Sequence, residues 1–126
     1  MERAGARRAG FSWTGGRHDG VTVVALAGEL DIATAGALRQ AVTDALAGAP
    51  EEPPLLVIDM LAVDFCDSTG LSVLVSTING AAGAGGRAVL SGIGPRMARL
   101  LRVTGLDKRF QTYDTADDAV QALRTA

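Results

Sequence analysis

The apolar positions of this chain follow two alternating periods. Residues 11–17 and 21–26 read as two strands, and the His18-Asp19-Gly20 segment between them holds an Asp-Gly pair that favours a tight turn, so they form a hairpin. The period then lengthens. Leu38, Ala41, Val42, Ala45 and Leu46 share one helical face, with Thr34 as the expected cap and Gly48 and Pro50 as the expected end. After Pro53-Pro54, the unbroken run Leu55-Leu56-Val57-Ile58 suits a strand covered on both faces, and Asp59 marks its expected polar end. A loop with Val63, Asp64 and Phe65 should follow. Leu71, Leu74, Val75 and Ile78 then return to helical spacing.

The segment Gly-Ala-Ala-Gly-Ala-Gly-Gly at 80–86 reads as a flexible connection. It has neither the order of a dinucleotide-binding glycine motif nor the lysine of a phosphate loop, so no nucleotide cofactor is implied. Residues 87–91 give the next strand. Pro95 suits the first turn of a helix whose Met97, Leu100, Leu101 and Val103 should face inward, with Gly105 as its stop. Residues 110–113 read as a last strand. Thr115, three residues before Asp118, resembles a capping box for a final helix with Ala119, Val120 and Leu123 on its inner face. The expected fold is α/β: one domain over residues 11–126, with a mixed sheet of four to five strands layered against about four helices. Residues 1–10, with Arg3, Arg7 and Arg8 among Ala and Gly, read as a disordered tail.

Composition narrows the function classes. With 126 residues, 48% of them apolar, the chain can bury one core but not two. A net charge of -2 and basic residues scattered outside the first few positions leave no electrostatic footprint for direct nucleic-acid binding. No window approaches the roughly 20 apolar residues that cross a bilayer, so no membrane partner is expected. The single Cys66 excludes an internal disulfide and a cysteine metal cluster; beside Phe65 it reads as a small buried thiol, consistent with a reducing cytoplasm. Oligomeric state is left open.

Candidate chemistry centres on Ser68, in Asp67-Ser68-Thr69-Gly70 at or beside a helix N-cap. One reading is structural: a capping hydroxyl that accepts a hydrogen bond from an orphan amide. The other is a hydroxyl presented for modification. A Ser-His-acid hydrolase finds little support, because the only histidine, His18, falls in the expected turn and Ser68 lacks the glycine frame of a nucleophile elbow. Asp31 and Asp67 each precede a helix, where a carboxylate serves as a cap or complements the helix dipole. Asp59 and Asp64 read as strand-end and loop solvation, and no cluster makes a metal site.

The order of motifs separates the two readings of Ser68. Asp67-Ser68-Thr69-Gly70-Leu71, after a strand and an apolar-acidic loop, resembles the phosphorylatable segment of the anti-sigma factor antagonist family, the STAS domains. Gly28-Glu29-Leu30-Asp31 before a helix looks like the family's earlier signature, and Thr104-Gly105-Leu106-Asp107 before Phe110 resembles its later one. The resemblance implies a STAS fold and a partner-switching regulator without enzymatic activity. Unphosphorylated, it would bind an anti-sigma factor with serine kinase activity and free a sigma factor for transcription. Phosphorylation of Ser68 would switch it off and a serine phosphatase would restore it. Thr69 occupies the place of the motif's second hydroxyl, and the implied partner surface comprises Asp31, Asp67, Ser68, Thr69 and Gly70. An alternative within the resemblance is a STAS scaffold or sensor-complex module that binds a different signalling partner. Ser72 departs from the pattern, standing where many relatives carry glycine.

Overall fold

The computed structural model describes residues 3–4, 10–47, 49 and 52–125. Along the chain run β1 (Arg3–Ala4), β2 (Phe11–His18), β3 (Val21–Leu30), α1 (Ala35–Leu46), β4 (Leu55–Cys66), α2 (Ser68–Gly83), β5 (Arg87–Ser91), α3 (Pro95–Val103), a 3-10 turn (Leu106–Lys108), β6 (Thr112–Tyr113) and α4 (Ala116–Thr125). The strands lie in sequence order in one sheet. β2 and β3 pair antiparallel as the expected hairpin, and β3, β4, β5 and β6 run parallel to one another. Each parallel pair is joined by a helical crossover, as parallel strands require. β2 to β6 make up a five-strand sheet against four helices, matching the expected four to five strands and about four helices. Arg3–Ala4, assigned to the tail by sequence, pairs with Gly15 and Thr14 of β2; the tail's other residues before Gly10, with Gly48 and Pro50, lie outside those described.

Alternation along the strands sorts the core into two layers. Leu56, Ile58, Ala88 and Leu90 join Leu38, Leu71, Leu74, Met97 and Leu101 from α1, α2 and α3 on one face. Val57 and Val89, one residue out of phase, pack with Ala119, Val120 and Leu123 of α4 on the other. The unbroken apolar run of β4 is therefore explained by helices on both sides.

Several expectations are corrected. β4 does not stop at Asp59; pairing with β3 continues to Cys66 through two register shifts, each adding one residue on β4. The bulges break the alternation that marks a strand, which is why this stretch reads as a loop. Asp59 belongs to the first bulge: its carboxylate accepts hydrogen bonds from the Leu61 amide at 3.2 Å and from the buried Ser91 hydroxyl at 3.2 Å. α2 runs on through Gly83, so half of the glycine-rich segment is its last turn, with Ala81 buried. Of the expected last strand only Thr112–Tyr113 pairs, while Phe110 is a buried plug. Val103, expected inward, is 76% exposed. The final helix starts as expected, with the Asp118 amide donating to the Thr115 hydroxyl at 3.1 Å.

Candidate functional site

Two loops leave the same end of the sheet side by side, one after β3 and one after β4. The Asp67 amide donates to the Leu30 carbonyl at 3.0 Å and ties the loops together. Gly70 makes that approach possible: a Cβ there would sit 2.5 Å from the Leu30 carbonyl oxygen, closer than real side chains come. Gly28, at φ +99 in β3, is equally constrained, since a Cβ would meet the Gly10 carbonyl oxygen at 1.9 Å. Gly70 therefore fixes where the two loops lie, while Gly28 fixes how closely β3 approaches the start of β2. Gly70 is buried, so its part in the site is positional.

In the loop after β3, Asp31 and Thr34 satisfy each other and the backbone. The Asp31 carboxylate accepts from the amides of Ala33 at 2.9 Å and Thr34 at 3.1 Å. The Thr34 hydroxyl donates to the Glu29 carbonyl at 2.8 Å and accepts from the Asp31 amide at 2.9 Å. Thr34 is 2% exposed and occupies the N-cap position of α1, but its hydroxyl makes no cap hydrogen bond; the expected cap is replaced by a loop staple. Ile32, between these residues, is 79% exposed. Sequence reasoning missed it, because an isolated apolar residue in a turn carries no periodic signal.

In the loop after β4 the assignment of roles is reversed. Asp67 caps α2, its carboxylate accepting from the Gly70 amide at 3.0 Å. Ser68 is the first helical residue and is exposed, so the capping reading of its hydroxyl is replaced by one in which the neighbouring aspartate does the capping. Thr69 is half-buried. Ser72, one turn on, is exposed and donates to the Ser68 carbonyl at 2.9 Å, so it lies on the same helix face. Cys66, just before the cap, is half-buried, and burial, with the Asp67 charge adding, pushes its thiol up to about 11. It therefore stays protonated near neutrality. His18 is exposed at the opposite end of β3, next to Val21 where that strand begins, and does not approach Ser68. Among the described residues no cluster of His, Cys, Asp or Glu could hold a metal ion, and no helix is long and apolar enough to cross a membrane.

Comparison with known proteins decides the family. The sequence matches the STAS domain over residues 16–119. It is 36% identical over 110 residues to the anti-sigma-F factor antagonist RsfB of Mycobacterium tuberculosis, covering 85% of this chain and 84% of that protein. The chain belongs to the STAS domain family of anti-sigma factor antagonists. A second relative, the anti-sigma-B factor antagonist of Bacillus subtilis, is 36% identical over 98 residues, covering 78% of this chain and 86% of the other. Among solved structures, an anti-sigma factor antagonist from Mycobacterium paratuberculosis superposes with a TM-score of 0.78 at 41% identity, covering 90% of this chain and 94% of the other. The fold described above is thus shared with a solved anti-sigma factor antagonist over most of both chains.

Proposed function

We propose that this protein is an anti-sigma factor antagonist that binds an anti-sigma factor with serine kinase activity while unphosphorylated, frees a sigma factor for transcription, and is switched off by phosphorylation of Ser68. One observation carries the reading: Ser68 stands exposed at the start of α2 while Asp67 performs the capping that would otherwise occupy a hydroxyl. The names of its relatives support the partner class.

The chemistry of the switch is local. A phosphate adds about -1.5 to -2 charges at the helix start, where the dipole favours an anion, so the domain need not unfold. The same charge falls one residue from the Asp67 carboxylate that caps the helix, on a loop tied through Asp67 to the one that carries Asp31 and the exposed Ile32. A partner that buries Ile32 and meets Ser68 through a desolvated surface loses that fit when phosphate is added. A penalty of about 4 kcal/mol weakens binding roughly a thousandfold, enough for a switch. Asp31, Asp67, Ser68 and Thr69 form the proposed contact face, with Gly70 setting its position. A serine phosphatase reverses the modification, and the cycle runs in the cytoplasm. The role is one of binding, with no reaction catalysed by this chain.

The test is affinity for the anti-sigma factor that co-purifies from the host. Ser68→Ala should bind as tightly as the unmodified protein, and the Ser68-phosphorylated form at least about a hundredfold more weakly. Equal affinity of all three forms would sink the proposal.

A further inference from the structure

A concave feature apart from the Ser68 loop lies along the bulged end of β4. Between that strand and α3 lies a half-open cleft of about 560 Å³, within the roughly 300–1,000 Å³ typical of small-molecule sites. Its apolar lining comes from Met60, Val63 and Phe65 on β4 and Met97, Leu100 and Val103 on α3. Two of these are costly to leave in water: Phe65 is 46% exposed and Val103 76%. The cleft lies along the bulged half of β4, where the register shifts interrupt the regular alternation of side chains between the sheet's two layers.

The charged residues at the cleft specify what fills it. Arg96 and Arg99 line it from α3, both exposed, and neither has an ion-pair partner among the described residues. Asp64 is the one acidic residue in the lining, leaving an excess of positive charge. No side-chain hydroxyl or amide lines the cleft, so its strong hydrogen-bonding side chains are the two guanidinium groups and the single Asp64 carboxylate. An apolar tail with one anionic head fits both halves of the lining: the chain covers Phe65, Leu100 and Val103, and the head pairs with the two guanidinium groups.

We propose that the cleft between β4 and α3 binds a single-chain anionic amphiphile of the long-chain carboxylate class. The proposal is independent of the Ser68 switch, whose face is built from other residues.

The experiment is a two-dimensional amide NMR titration of the full chain with laurate below its micelle concentration. Dodecyltrimethylammonium serves as the cationic control with the same tail, and butyrate as the short control with the same head. Laurate should bind saturably, with shifts centred on residues 60–66 and 94–103. The cation should bind about tenfold or more weakly, and butyrate should cause no saturable change. The variant R96E/R99E should lose laurate affinity about tenfold and prefer the cation, with an unchanged thermal midpoint because both side chains are exposed. Val103→Asp should weaken laurate while leaving the fold intact. Absence of saturable laurate binding overturns the proposal, as do shifts centred elsewhere or equal affinity for laurate and the cation. Occupation of the cleft by a protein segment in the complex with the anti-sigma factor, excluding laurate, overturns it as well.

Discussion

The two loops at the end of the sheet contain the same ingredients, an aspartate followed by a hydroxyl residue at a helix start, and use them in opposite ways. After β3 the Thr34 hydroxyl is buried, donates to the Glu29 carbonyl and receives the Asp31 amide, so it belongs to the scaffold. After β4 the Asp67 carboxylate takes the capping amide itself and Ser68 is left facing solvent. Spacing accompanies the difference: Asp31 and Thr34 are three apart and hydrogen-bond across the turn, whereas Ser68 directly follows Asp67 and stays exposed. A hydroxyl at a helix start is thus available for chemistry only when a neighbour relieves it of structural duty.

That contrast can be broken most severely at the glycines that bring the loops together. Gly70→Val forces a side chain into the Leu30 carbonyl and should destabilise the protein by about 3 kcal/mol or more, read as a lower urea midpoint. A loss below about 1 kcal/mol would mean that the loops separate freely. Next comes Thr34→Val, which keeps the shape but leaves the Glu29 carbonyl and the Asp31 amide without their partner. It should cost about 2 kcal/mol in the same assay. Asp67→Ala removes a cap and should cost about 1 kcal/mol. In the same variant, amide exchange in the first turn of α2 should quicken, which would locate the loss. The smallest effect belongs to Ser68→Ala, whose stability should stay within about 0.5 kcal/mol of the wild type, as for exposed positions without a structural partner. Equal costs for Thr34→Val and Ser68→Ala would erase the distinction between scaffold hydroxyl and free hydroxyl.

How far the sequence reaches follows the same lines. The hairpin, the crossover helices and the two-faced burial of residues 55–58 are legible because each repeats a period over several residues. The bulged half of β4 is not, because an inserted residue reverses which side chains face the core and erases the pattern. The last turn of α2 is hidden for a different reason: glycine and alanine signal a loop by composition, yet packing buries Ala81 and holds the helix through Gly83. At the candidate site, Asp31, Asp67 and Ser68 could be named from their motifs, but which atom caps which amide depends on backbone geometry that spacing does not encode. Asp59 illustrates this, since a residue read as strand-end solvation ties a bulge to Ser91 on the next strand. Ile32 left no signal because a single exposed residue has no period.

The most direct test of the account is site-resolved phosphate mapping of the protein recovered from its host, for wild type and Ser68→Ala. The account predicts phosphate on Ser68, none on the buried Thr34, and none on the loops of the alanine variant. Phosphate that persists on these loops in Ser68→Ala, or its absence from Ser68 under every growth condition in which the anti-sigma factor co-purifies, would contradict it.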